Sequence, residues 1–63
     1  MKLKEVLEVV PIKDMIMVVV YNNGNLEKFA GSSIELEYSM AEYKYRKVIN
    51  IHSVNNILTI FAE

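Results

Sequence analysis

The sequence predicts an α+β fold in which a four-stranded antiparallel sheet, built from two β-hairpins, is covered on one face by two short helices. Three observations lead to this prediction. Residues 15–21 form an unbroken apolar run that is followed at once by Asn-Asn-Gly-Asn, as in a strand that enters a tight hairpin turn. An amphipathic segment precedes that run, and two further strand-like segments end the chain.

The N-terminal segment has the apolar spacing of a short helix. Leu3, Val6, Leu7 and Val10 lie at positions i, i+3, i+4 and i+7, so they share one side of a helix. Pro11 is expected to end the helix, because the residue before a proline is pushed out of the α region. Such a helix is a natural cover for one face of a sheet.

Two hairpins supply the predicted strands. The first joins residues 15–21 to residues 26–30 through the asparagine-rich turn, and Gly31 ends its second strand. The second joins residues 46–54 to residues 57–62 through Asn-Asn, which tolerates the positive φ angles of a tight turn.

The segment between the hairpins contains two helix start signals. The pattern Ser-x-x-Glu, which forms a capping box, occurs at residues 32–35 and again at residues 39–42. We interpret the first as a broken turn and the second as the start of a short helix near residues 39–45. An extended conformation for residues 34–38 is an alternative, because apolar and acidic residues alternate there.

Size and composition predict one domain that associates with a second copy. The chain has 63 residues and no cysteine, and 52% of its residues are hydrophobic. Four strands and two short helices cannot cover both sheet faces, so a homodimer joined through sheet faces or sheet edges is expected. The predicted dimer-interface residues are Ile16, Val18 and Val20.

Charge and hydropathy limit the partners and the location. A net charge of −1 argues against a strong non-specific attraction to nucleic acid or to anionic membranes. The longest apolar run is far shorter than the roughly 20 residues that span a bilayer, and Glu5 lies where a signal peptide would begin its apolar core. We therefore expect a cytoplasmic protein that does not bind membranes.

Four segments together are similar to small uncharacterised proteins encoded by phages and prophages of Gram-positive bacteria. They are residues 3–11, the Phe-Ala-Gly of residues 29–31, residues 42–48 and residues 55–60. The resemblance covers nearly the whole chain and implies a leading helix, a hairpin, a short helix and a final hairpin. It also implies the cytoplasm of a bacterial host cell as the location, and it carries over no catalytic or binding residue.

The strongest candidate for a binding surface is the aromatic and basic stretch at residues 43–47. Aromatic rings stack on bases or fill a partner's pocket, while basic side chains meet phosphates or carboxylates. The alternative is that one tyrosine packs on the sheet and the cations lie in the last turn of a helix. The candidate residues are Tyr38, Tyr43, Lys44, Tyr45, Arg46 and Lys47.

No pattern in the sequence indicates catalysis, a metal site or a cofactor. His52 is the only histidine, and we interpret it as a solvent-facing or hydrogen-bonded strand residue. A pH-sensitive interface is the alternative, because a symmetric dimer could place two copies of His52 near each other. Glu35, Glu37 and Glu42 have no accompanying nucleophile or oxyanion donor, so we interpret them as helix-capping and solvated residues.

The sequence thus predicts a non-enzymatic binding protein, for which three hypotheses stay open. The first is a phage-type accessory protein that docks on a host protein, for example as an inhibitor of a host enzyme or defence system. The second is a nucleic-acid-binding module that uses residues 43–47. The third is a structural subunit of a larger assembly.

Overall fold

A computed structural model describes residues 1–11 and 14–63 of the chain. This part of the chain contains two α-helices, one 3-10 helix and one four-stranded sheet, which confirms the α+β class. The elements are α1 (Leu3–Val9), β1 (Met15–Asn22), β2 (Asn25–Ser32), α2 (Ser33–Ser39), the 3-10 helix η1 (Ala41–Tyr43), β3 (Val48–Val54) and β4 (Ile57–Ala62).

The sheet is mixed, so the prediction of a purely antiparallel sheet is wrong. The strand order is β2-β1-β4-β3. Each hairpin is antiparallel, but the two hairpins meet through β1 and β4, which run parallel. Strand β4 is apolar along most of its length and takes a central position, whereas β3 carries Asn50, His52 and Ser53 and lies at an edge. Burial of the more apolar strand therefore decides which strand of the second hairpin meets β1.

Both hairpin turns have the backbone that their asparagines predict. Asn23 and Gly24 have φ angles of 53° and 82°, and Asn55 and Asn56 have φ angles of 52° and 65°. Positive φ at both central residues is the mark of a two-residue type I′ turn, which matches the twist of the flanking strands.

Helix α1 ends before Pro11 as its sequence predicts, and its first turn is capped by Glu5. The Glu5 carboxylate accepts a hydrogen bond of 2.8 Å from the Lys2 backbone N–H in the first turn. At the other end Val10 is extended, with ψ of 132°, because it precedes Pro11. Leu3, Val6 and Leu7 are buried, which places the predicted apolar side of the helix on the sheet.

Helix α2 lies earlier than the helix predicted near residues 39–45, and the extended alternative for residues 34–38 is also wrong. Ser32 and Glu35 cap each other: the Glu35 N–H donates to Ser32 Oγ at 3.3 Å, and the Ser32 N–H donates to Glu35 Oε1 at 3.1 Å. Helical spacing then buries Ser33, Leu36 and Met40 on the same side. The second capping signal precedes only the 3-10 helix η1.

The core lies between the helices and one face of the sheet. From the sheet it contains Ile16, Val18, Val20 and Ile60, each at most 1% exposed. The helical layer contributes Leu3, Val6, Leu7, Leu36, Met40 and Tyr43. This arrangement fills one face of the sheet, and no helix formed by residues 1–11 or 14–63 covers the other.

Candidate functional site: the open face of the sheet

The face opposite the helices is apolar and is not covered by any helix of the described residues, and we call it the open face. Strand β1 contributes Met15, Met17, Val19 and Tyr21 to it, because these residues alternate with the core residues of the same strand. Their partners in the strand register lie on the same face. These partners are Leu26, Lys28 and Ala30 on β2, Thr59 and Phe61 on β4, and Asn50, His52 and Val54 on β3.

The centre of the open face is shielded from solvent by the side chains around it, which we call the rim. Val19 is 4% exposed and Thr59 is 3% exposed, although both helices of the described chain pack on the opposite face. Around them, Tyr21, Leu26 and Val54 are 44%, 54% and 42% exposed. These side chains enclose a shallow groove together with Met17, Lys28 and Phe61. A flat apolar surface with an accessible rim suits contact with a macromolecule better than enclosure of a small ligand.

Charge is sparse on this surface. Lys28 is the charged residue among the strand positions that the structure places on the open face. His52 lies at the β3 side, where its ring is 5.0 Å from the ring of Phe61. A partner that covers this face must therefore be mainly apolar, and an acidic group opposite Lys28 would complement it.

The residues predicted for a dimer interface occupy the other face. Ile16, Val18 and Val20 are 1%, 0% and 0% exposed and belong to the core beneath the helices. In this fold they offer no surface to a second subunit. The surface that β1 does offer comes from Met15, Met17 and Tyr21, one residue out of phase with the predicted set.

The aromatic and basic stretch at residues 43–47 is divided between the interior and the surface. Tyr43 is 7% exposed and its ring lies 5.8 Å from that of Phe29. Its hydroxyl donates a 2.6 Å hydrogen bond to Glu27, which also accepts a 3.0 Å bond from the Asn22 side chain. The Arg46 guanidinium lies 5.1 Å from the Tyr43 ring centre and donates to Asn22 at 3.1 Å.

This polar network shifts two pKa values. The hydrogen bond from Tyr43, and then that from Asn22, lower the pKa of Glu27 below its ordinary value of 4.5. The same bond raises the pKa of Tyr43 above 10.0, since loss of the phenolic proton would leave two negative charges in contact. Tyr43 and Arg46 thus fasten η1 to the first hairpin and are occupied within the chain.

The other residues of the predicted patch remain at the surface. Lys44 Nζ lies 5.2 Å from the centre of the Tyr45 ring, and Tyr45 is 63% exposed. Tyr38 is 83% exposed on α2. Lys47 is also exposed, and its backbone forms an isolated antiparallel β-bridge with Lys2. Lys44 therefore contacts Tyr45 at the surface, whereas Tyr43 and Arg46 belong to the polar network with the first hairpin.

The acidic residues take structural or solvated positions. Glu35 caps α2, and hydrogen bonds from the Ser32 backbone and then the Ser32 side chain lower the pKa of its carboxyl group. Glu37 and Glu42 are exposed. Within residues 1–11 and 14–63, no three histidine, aspartate or glutamate side chains are close enough together to hold a metal ion.

Comparison with known proteins adds no further assignment. No protein-family model matches the chain, and no curated protein or solved structure is significantly similar to it. Among the described residues, no helix has the length and hydrophobicity of a bilayer-spanning segment.

Sequence reasoning did not single out Leu26, Val54 and Phe61. They come together only because the two hairpins meet through β1 and β4. The signal that was available is the alternation in β1: once one set of its residues is assigned to the core, the other set must lie on a second apolar face.

Proposed function

We propose that this chain is a non-enzymatic binding protein that docks on another protein through the open face of its sheet. The observation that carries the proposal is the exposed apolar rim formed by Tyr21, Leu26 and Val54 around a groove with one basic side chain, Lys28. Clustered exposed apolar side chains are more typical of a contact surface than of a surface that faces only solvent.

The partner is best described by its chemistry. It presents an apolar surface with a carboxylate opposite Lys28, because such a surface covers the rim and pairs the lysine ammonium. The resemblance to phage and prophage proteins suggests a bacterial host protein as this partner. The chain would then act in the host cytoplasm as an accessory protein that occupies a host surface.

Capture of partners by variants of this protein tests the proposal. The tagged chain, its Leu26→Lys variant and its Ile34→Lys variant are each incubated with lysate of a Gram-positive bacterium, with and without nuclease treatment. Leu26 is 54% exposed on the open face, whereas Ile34 is 47% exposed on α2, so the two variants place the same charge at similarly exposed positions.

We expect the wild-type chain and Ile34→Lys to retain the same protein, and Leu26→Lys to lose it. Titration of the purified partner should show affinity reduced at least about tenfold by Leu26→Lys, because the introduced charge must be desolvated at the contact. Equal binding by Leu26→Lys and the wild-type chain contradicts the proposal. Recovery that disappears with nuclease treatment contradicts it as well, and indicates a nucleic-acid-binding module.

A further inference from the structure

The two edges of the sheet differ in how they are protected. Strand β2 carries Glu27 and Lys28, and charged residues on an edge strand discourage pairing with another strand. Strand β3 has the sequence VINIHSV, with no aspartate, glutamate, lysine, arginine or proline. Ile49 and Ile51 on this strand are 47% and 40% exposed. The edge formed by β3 therefore has the composition of a strand that accepts a neighbour.

Part of this edge is already occupied by the N-terminus. The Val48 N–H donates a 2.8 Å hydrogen bond to the Met1 carbonyl, and Lys2 bridges Lys47. A shift in the pairing with β4 follows, between Val48 and Asn50. From Asn50 to Val54 the pairing is regular, so residues 50–54 form the free part of the edge.

The type I′ turn determines which backbone groups of this free edge point outward. Val54 and Ile57 flank a two-residue turn, so they form a hydrogen-bonded pair. Hydrogen-bonded and non-hydrogen-bonded pairs alternate in an antiparallel ladder. His52 therefore bonds to β4, whereas Ile51 and Ser53 direct their N–H and C=O groups away from it. Within the described residues, no loop or cap hydrogen bond uses these outward groups.

We propose that residues 50–54 pair antiparallel with the same residues of a second copy, about a two-fold axis at His52. In this register Ile51 of each chain lies opposite Ser53 of the other. Each such pair exchanges two backbone hydrogen bonds, which gives four across the axis. The two copies of His52 form the central non-hydrogen-bonded pair, in which side chains approach most closely.

The free edge fits its own copy in length and in charge. Its middle residue is His52, so in the antiparallel register the five residues lie opposite themselves. Val54 pairs with Ile57, so the turn between them leads back to β4 and away from the proposed contact. The absence of acidic and basic residues other than histidine lets two copies approach without strong repulsion. The axis is perpendicular to the sheet, so the open faces of both copies lie side by side.

The contact between the two β3 edges is small, so the dimer is weak. Five residues of a strand span about 17 Å, and an edge contact of this length buries less than the roughly 1,200–2,000 Å² of a standard stable interface. The dimer therefore dissociates on dilution. Because it uses the β3 edge, this inference stands independently of the partner proposed for the open face.

Sedimentation velocity across a concentration series tests the pairing. The wild-type chain should shift with concentration toward twice the 7.3 kDa mass of one chain. His52→Lys and His52→Glu should each lose the dimer, because like charges would meet at the axis, and an equimolar mixture of the two should form a mixed dimer. Ala30→Lys places a charge on the β2 edge, so this variant should dimerise as strongly as the wild-type chain.

A second variant tests the hydrogen bonds themselves. Ser53→Pro removes an outward N–H without removing a bond to β4, so it should lose the dimer while circular dichroism shows a folded chain. A wild-type chain that stays monomeric at every concentration overturns the inference. So do folded His52 charge variants that dimerise as well as the wild-type chain, or whose mixture remains monomeric.

Discussion

The two faces of the sheet are built from the same strands, but one is buried beneath the helices and the other has an exposed rim. On β1, Val18 and Val20 are fully buried beneath the helices, whereas the neighbouring Tyr21 is 44% exposed on the open face. Both sets of side chains are apolar, so residue type does not distinguish the faces. The difference lies in the helices: α1 and α2 have one apolar side each and are only seven residues long, which is enough to cover one face. Substitutions on the open face should therefore affect the proposed binding without the loss of stability that is expected on the covered face.

Lysine substitutions at adjacent residues of β1 should give the largest difference in stability between the two faces. Val20→Lys places an ammonium group among core side chains without a partner, at a cost of several kcal/mol, which approaches the roughly 5–15 kcal/mol total of a small domain. We expect this variant to be unfolded by circular dichroism. Tyr21→Lys should change the free energy of unfolding by less than about 1 kcal/mol. Comparable unfolding of both variants would show that the open face is also core.

Removal of a helix cap should have an intermediate effect, confined to the layer over the covered face. Ser32→Ala removes the side-chain cap of α2, so we expect a loss of about 1 kcal/mol in the free energy of unfolding, measured by urea denaturation. Ser39→Ala is the matched control, because no α-helix begins after it and its hydroxyl makes no cap bond in the described structure. A loss at Ser39 that equals the loss at Ser32 would argue against the cap at Ser32.

Acidification should have the smallest effect, through the polar network at the end of the covered face. The pKa of Glu27 is lowered in the folded chain, so its contribution to stability is present above about pH 4.5 and is lost as the pH falls through the folded value. Tyr43→Phe keeps the aromatic ring but removes the hydroxyl that donates to Glu27. Between pH 7 and pH 3, the midpoint temperature of thermal unfolding should therefore fall less steeply for Tyr43→Phe than for the wild-type chain. Parallel declines would contradict this role of the hydroxyl.

Local sequence patterns predicted the individual elements better than their arrangement. The strand at residues 57–62 has the predicted bounds, both asparagine turns have the expected positive φ angles, and Pro11 ends α1. These features depend on a few adjacent residues. The position of α2 was missed because two equivalent capping signals occur seven residues apart, and only packing of Leu36 and Met40 against the core selects the first.

The candidate site was less predictable because its residues come from separate strands. Tyr43 was a candidate for a binding surface, with packing of one tyrosine on the sheet as the alternative, and its contacts with Phe29 and Glu27 on the first hairpin place it in the interior. Arg46 follows it, because Asn22 and the Tyr43 ring hold its guanidinium. No spacing within residues 43–47 indicates the partners on the first hairpin, which lie between 14 and 24 positions away in the sequence.

By itself, the sequence determined that β1 would be a strand with two apolar faces and that so short a chain would cover only one of them. The tertiary structure decided which face is covered. Alternation fixes that Val18 and Val20 share one face and Val19 and Tyr21 the other, but either set could pack against a helix. The choice is made by the packing of both helices on the strand order β2-β1-β4-β3, a long-range arrangement that no local pattern specifies.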